Sequence, residues 1–324
     1  MTTSMNAGVA TENGIELRQV ARPQPGPEEI LVKVAAAGMN RADLAAATGQ
    51  YGGKASLDKP IGLEWAGEVV EVGSSVTAFR PGDMVMTSGS GGYAEYAVSD
   101  HARALKIGDL DIRRAAGLPL VLLTAYDAVV LNGRLRQGET VLVQGASSAV
   151  GLMAMQIARG RGASAVFGTS SNAGRRARLA EFGATTALDP GDAGWADALL
   201  EATGGRGVDL VVDMVSGAAI NETMRATAVC GRIVNVGRLG GASAPFDFNL
   251  HALRRIAYLG VTFRTRSVEE VREIARAAHD ALSDPVRTGK LSLPLDRTFR
   301  LSEAADALAH MASDSHFGKI VIVP

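Results

Sequence analysis

Cysteine is almost missing from this chain: 324 residues contain one, Cys230. A lone thiol excludes an internal disulfide and any multi-cysteine metal site, and it fits a reducing compartment. Excess charge is missing too. With 33 basic and 34 acidic side chains the net charge is -1, so no overall field draws the chain to nucleic acid or to an acidic membrane surface. No stretch approaches the ~18 consecutive apolar residues that a membrane span needs. The opening MTTSMNAGVATENG lacks the basic start and apolar core of a secretion signal, so a cytoplasmic protein is expected. Internal repeats and low-complexity tracts are also lacking.

What remains is ordinary globular material, 47% hydrophobic and 21% charged, and long enough for two domains with substantial cores. From Ile15 to about His101 short strand candidates (EILVKVAAAG, WAGEVVEVG, GDMVMTSG, GGYAEYAVS) are punctuated by Pro23, Pro25, Gly26, Pro27, Pro60, Gly62, Pro81 and Gly82. That texture predicts a compact, mostly antiparallel β unit. A long apolar helical run, GLPLVLLTAYDAVV, then leads into a second domain. There apolar strands alternate with helices at Val141–Val143, Ala165–Phe167, Thr185–Leu188, Val208–Val212, Arg232–Val236 and Ala257–Thr262. Six such strands predict an α/β, doubly wound parallel sheet, the Rossmann arrangement. After a helix near Val268–Leu282, a closing strand, helix and strand are expected to return to the first domain. The boundaries expected are 1–121 with 290–324 for the β domain and 122–289 for the Rossmann domain.

The stretch ETVLVQGASSAVGLMAMQIARGRG organises the second domain. A buried strand, a turn of small residues and a helix with Val150, Met153, Ala154 and Ile157 on one apolar face follow in that order. Such a junction aims free backbone N–H groups and the positive helix end at one point, where a pyrophosphate is stabilised. The turn, Gly145 to Gly151, is not GxGxxG, and a tight joint without ligand would look similar. Past the second strand an Asp or Glu would suit the ribose diol of NAD, and none is there. Gly168, Thr169, Ser170 and Ser171 are followed by Arg175 and Arg176. Hydroxyls and guanidinium groups suit a 2′-phosphate, which favours NADPH, although Arg175, Arg176 and Arg178 also read as a solvated helix face.

GMNRADLAAATGQY (38–51), PIGLEWAGEVVEVG, GDMV, GGYAEYA, LPLVLLTAYDA, the GASSAVG turn, FRTRS and the terminal GKIVIV together resemble the zeta-crystallin-like quinone oxidoreductases of the medium-chain dehydrogenase/reductase superfamily. NRADL, GQY and FRTRS look most like the tumour-suppressor-induced branch. The resemblance implies a GroES-like catalytic domain, a Rossmann domain, a cleft between them, NADPH, and a homodimer formed through the Rossmann sheet edge. Carried over by position, Asn40 lies near the nicotinamide ribose and Tyr51 lines the acceptor pocket, the two being the catalytic candidates. Thr124 sits under the nicotinamide, and Ser147, Ser148, Ala149 and Val150 hold the pyrophosphate. Gly168, Ser170 and Arg175 meet the 2′-phosphate end. Val215, Gly237, Arg238, Phe263 and Arg264 border ribose and nicotinamide, with Val215 and Phe263 equally readable as core.

Ala45 stands where a second tyrosine is frequent, Pro190 where a tyrosine can face the adenosine end, and Ala149 where glycine is usual. Zinc alcohol dehydrogenases place Cys and Gly-His-Glu where this chain reads Met39, Asn40 and Gly62, Leu63, Glu64. With five histidines in no ligand-spaced cluster, no metal is expected. Without a Lewis acid, ketone and alcohol interconversion loses its support, whereas a quinone or enone needs less help. The expected function is NADPH-dependent reduction of a small quinone. The alternatives are reduction of an activated double bond in a 2-alkenal or enoyl thioester, or NADPH binding with vestigial activity.

Overall fold

The structure, a computed structural model, describes residues 3–50 and 57–324. Tyr51 lies outside them. The chain divides into two compact units, Met1–Val121 with Arg266–Pro324, and Leu122–Thr265.

In the first unit β1 (Ser4–Thr11) and β2 (Gly14–Ala21) form an antiparallel pair. A seven-stranded sheet is built from β3 (Glu29–Gly38), β4 (Glu64–Val72), β5 (Met84–Ser88), β6 (Tyr96–Asp100) and β7 (Leu105–Lys106) with two late strands, β14 (Leu295–Arg300) and β15 (Lys319–Val323). Its order is β14-β15-β3-β4-β5-β7, with β6 also on β3; only β14 and β15 run parallel. Strand β3 buries Ile30, Leu31, Val32 and Val34 completely or nearly so, and its core continues through Trp65, Val69, Ile320 and Ile322. The helices of this unit are α1 (Ala42–Ala47), α2 (Ile112–Ala116), α9 (Val268–Arg287) and α10 (Ala304–Ala312), and α3 (Pro119–Tyr126) carries the chain onward.

This division differs from the expected boundary at 290, because α9 groups with the first unit. Arg272 on this helix reaches Glu28 at 2.7 Å and Asp100 at 2.8 Å, in the segments that begin β3 and end β6. The amphipathic pattern of α9 states that it packs, and cannot state on what.

The second unit carries the six parallel strands in the order β10-β9-β8-β11-β12-β13: β8 (Thr140–Gln144), β9 (Ala165–Thr169), β10 (Thr186–Leu188), β11 (Val208–Asp213), β12 (Thr227–Asn235) and β13 (Ala257–Gly260). Helices α4 (Ala149–Gly160), α5 (Ala173–Ala177), α6 (Trp195–Ala202), α7 (Ile220–Ala226) and α8 (Phe248–Arg254) intervene. The first three strands add in one direction and the last three in the other. With right-handed crossovers the helices therefore cover both faces, and the loops after β8 and β11 part at the switch point, where a Rossmann sheet binds its ligand. Strand β12 starts five residues before the expected Arg232, because the chain pairs with β11 again at Val208↔Thr227, before an irregularity in the register.

Candidate active site

The turn between β8 and α4, the expected pyrophosphate site, is built by hydrogen bonds between neighbouring strand ends. Gly145 leaves β8 at φ +69°, a left-handed conformation that glycine adopts without strain. Its N–H donates to Thr169 Oγ1 at 3.1 Å, and the Ala146 N–H to Thr169 O at 2.9 Å. Thr169 in turn donates to Gln144 Oε1 at 2.7 Å. Ser148 caps α4, its Oγ accepting from the Gly151 N–H at 3.1 Å while donating to Gly145 O at 2.9 Å. The first two helical amides, those of Ala149 and Val150, have no intrahelical acceptor by geometry. Both residues, and Ser147, are half-buried at the helix head. Gly151 allows the turn to lie this close: a Cβ there would stand 2.7 Å from Ala146 Cα and Gly145 O.

At the end of β9, Gly168 is buried, and a Cβ on it would meet Ala146 Cβ and Met155 Sδ at 3.0 Å, so it packs the turn against the sheet. Ser170 is 4% exposed and donates to Ser147 Oγ at 3.0 Å, which joins two of the expected phosphate contacts. Arg176 donates to Ser170 O at 2.7 Å and pairs with Asp189 at 3.0 Å. Arg175 sits half-buried on α5, whose first turn is capped by Asn172. The carboxylate near this end is thus Asp189, which follows β10 and escapes a search confined to the second strand. Pro190 beside it is exposed.

The loop after β11 is shaped by Asp213, 1% exposed, whose carboxylate accepts from the N–H groups of Val215 at 2.8 Å and Ser216 at 2.9 Å. Burial pushes its pKa up, against the pull of these donors. Ser216, at φ +55°, donates to Gly237 O at 3.0 Å and accepts from Asn235 Nδ2, so the segments bearing Val215 and Gly237 are tied together. A Cβ at Gly237 would lie 2.5 Å from Met214 O. Arg238 and Arg264 are exposed, whereas Thr124 and Phe263 are half-buried. A dinucleotide fits this unit: an N-terminal helix turn with two uncommitted amides by geometry, a second loop beside it at the switch point, and basic side chains past β9.

The first unit carries a buried polar cluster around Asn40. Lys319 Nζ donates to Met39 O at 2.6 Å, Asn40 Oδ1 at 3.0 Å and Glu64 Oε1 at 2.6 Å. Asn40 Nδ2 donates to Glu64 Oε1 at 2.9 Å, and the Leu120 N–H to Glu64 Oε2 at 2.8 Å. Lys319 and Glu64 side chains are 5% and 0% exposed, while Asn40 is half-buried. Beside it Asp43 Oδ2 accepts from the Asn40 N–H at 2.7 Å and the Tyr93 hydroxyl at 2.6 Å. Burial lifts the Asp43 pKa to about 6 and, with Asp43 adjacent, the Tyr93 pKa well above its usual value.

Of these polar centres Asn40 is among the expected site residues, whereas Lys319, Asp43, Tyr93 and Asp213 are not. One signal was present: a lysine heading the otherwise apolar KIVIV. Among the described residues no three His, Cys, Asp or Glu side chains come together as a metal site requires. The donors present do not fit zinc, because an ammonium occupies the space among Met39, Asn40 and Glu64.

A GroES-like β unit and a Rossmann unit with a turn of small residues at its first strand-to-helix junction define an oxidoreductase that uses a nicotinamide cofactor. Residues 149–280 match the family described as Zinc-binding dehydrogenase, and residues 26–109 the Alcohol dehydrogenase GroES-like domain. The quinone oxidoreductase of Lama guanicoe is 31% identical over 312 residues, 94% of this chain and 91% of that one. A stretch of a phenolphthiocerol/phthiocerol polyketide synthase of Mycobacterium tuberculosis is also 31% identical, covering 96% of this chain and 14% of the synthase. A solved alcohol dehydrogenase superfamily protein from Novosphingobium aromaticivorans superposes with a TM-score of 0.87 over 99% of each chain, at 31% identity. The chain belongs to the medium-chain dehydrogenase/reductase superfamily, with quinone oxidoreductases among its relatives.

Proposed function

We propose that the protein is an NADPH-dependent quinone reductase that works without a metal. The observation that supports this most is the serine turn at the head of α4, joined through the Ser147–Ser170 hydrogen bond to the strand end that leads into Arg175 and Arg176. The nicotinamide supplies a hydride, which with one proton converts a quinone to its quinol. Ser147, Ser148, Ala149 and Val150 hold the pyrophosphate, and Arg175 meets the 2′-phosphate. Arg176, engaged by Asp189 and Ser170 O, holds the strand end that presents Ser170. Asn40 offers its carboxamide to the nicotinamide ribose. Tyr51 donates a hydrogen bond to the oxyanion that develops on the acceptor. The chain's work is orientation and exclusion of water, since conjugation in the acceptor spreads the arriving charge.

The polyketide synthase match favours a second reading, reduction of an activated double bond in a 2-alkenal or enoyl thioester by the same hydride. The assay that separates them measures NADPH and NADH oxidation with 9,10-phenanthrenequinone, a 2-alkenal and crotonyl thioester, with chelator present. The expected result is fastest turnover of the quinone and no effect of the chelator. Arg175→Ala raises the Kd for NADPH about tenfold and leaves that for NADH within about twofold, as loss of a charge-assisted bond to the 2′-phosphate requires. Failure of both nucleotides to bind in a fluorescence titration overturns the proposal.

We further propose a cytoplasmic homodimer, in which the open edge of β13 pairs with a second copy. Support comes from the exposed apolar side chains around that edge, Phe248 at 77% and Leu253 at 69%.

A further inference from the structure

We propose that Lys319 and Glu64 are positioning residues, a fixed ammonium and carboxylate that hold the Asn40 carboxamide in one orientation. Glu64 stands on a segment, Gly62 to Glu64, where zinc alcohol dehydrogenases read Gly-His-Glu, and Lys319 reaches it from the closing strand β15. This rests on the reading of Asn40 as a contact of the nicotinamide ribose.

Strand β15 pairs antiparallel with β3 at Val321↔Gly38, and the Met39 N–H donates to Ile320 O at 2.9 Å, so Lys319 arrives opposite Asn40. An ammonium has three donors and no acceptor. All three are used, on Met39 O, Asn40 Oδ1 and Glu64 Oε1. Both Glu64 oxygens are likewise engaged, Oε1 by Lys319 and Asn40 Nδ2, Oε2 by the Leu120 N–H. Turning the Asn40 amide over would set its NH2 against the ammonium and its oxygen against the carboxylate. One orientation therefore survives, and it leaves one N–H of Nδ2 and one lone pair of Oδ1 on a half-buried side chain.

Two glycines clear the space for the pair. A Cβ at Gly38 would stand 2.7 Å from Glu64 Oε1, and one at Gly117 would stand 2.9 Å from Lys319 Cγ. Stability alone is a poor reason to keep such a pair, because apolar residues of similar volume commonly serve a core as well. Its orienting of Asn40 supplies the reason that stability does not.

The test compares wild type, Asn40→Ala, the double variant Lys319→Met with Glu64→Gln, and the triple variant. Each is measured for thermal midpoint, NADPH Kd by fluorescence titration, and kcat and KM with 9,10-phenanthrenequinone. Removing both charges leaves none unpaired, so the double variant keeps its midpoint within a few degrees. It nevertheless raises the NADPH Kd about tenfold and lowers kcat about tenfold, with acceptor KM unchanged. Asn40→Ala shows the same losses, and the triple variant shows no more, as expected when residues act through one group. A folded double variant that keeps NADPH Kd and kcat within twofold while Asn40→Ala loses them overturns the inference. If Asn40→Ala matches wild type, the role given to Asn40 falls and this inference falls with it. Should the double variant not fold, Glu64→Gln alone decides: a Kd raised at least threefold supports the inference, and an unchanged Kd overturns it.

Discussion

Asp43 shows how a single buried carboxyl sets a pH dependence. Its folded pKa of about 6 lies above the ordinary value, because burial disfavours the charged form more than Tyr93 and the Asn40 N–H favour it. The folded chain therefore binds this proton more tightly than the unfolded chain. The stability it contributes is complete below the unfolded value and is lost as pH rises through 6. Urea unfolding at pH 5 and pH 7.5 is expected to show a wild-type stability falling, relative to Asp43→Asn, by about 1 kcal/mol over that interval. An identical pH profile for the two proteins contradicts the raised pKa. At this scale the sequence offered the hydroxyls and arginines as candidates for an anion site, since their types alone carry that chemistry, and the structure joins two of them, Ser147 and Ser170, by a hydrogen bond. The sequence did not disclose Asp43, Tyr93 or Asp189, whose meaning comes from partners 50 residues away for the first pair and, for Asp189, from a pairing with Arg176 across neighbouring elements.

Strand β8, its turn and α4 form the element that the sequence described most completely. Alternation of apolar strands with amphipathic helices fixes a period and a class, so the six parallel strands were legible. Of the apolar face expected from Val150, Met153, Ala154 and Ile157, the last three are fully or almost fully buried, and Val150 at the helix head is half-buried. Gly151 is the joint of that element. Gly151→Ala forces its new methyl against Ala146 Cα and Gly145 O, so α4 must shift away from the turn. The expected loss is about 2 kcal/mol of stability, within the range for overpacking, together with at least a tenfold rise in NADPH Kd. A variant with wild-type Kd would place the anion elsewhere. What the sequence could not show was the company that α9 keeps, because its apolar stripe is equally suited to either sheet. Arg272, bridging to Glu28 and Asp100, carries that information only once the chain is folded.

On the scale of the whole molecule, β13 leaves one side of the parallel sheet unpaired, flanked by a small aromatic group in which Phe246 lies 5.0 Å from Phe248 and 6.3 Å from Tyr258. Exposed strand edges invite pairing with another chain. Sedimentation of the wild type is expected to give a dimer, and Leu253→Glu with Tyr258→Glu a monomer that still binds NADPH. A wild-type monomer at micromolar concentration removes the proposal. The order of synthesis sets a further constraint. Glu64 leaves the ribosome early, and its cationic partner follows only after more than 250 residues, with a complete nucleotide-binding unit made in between. Until then Glu64 has its Asn40 and Leu120 donors but no cation, and the strand position beside residues 37 and 38 is unoccupied. A chaperone acting on the nascent chain is therefore expected to engage residues 1–121, the portion translated first and closed last.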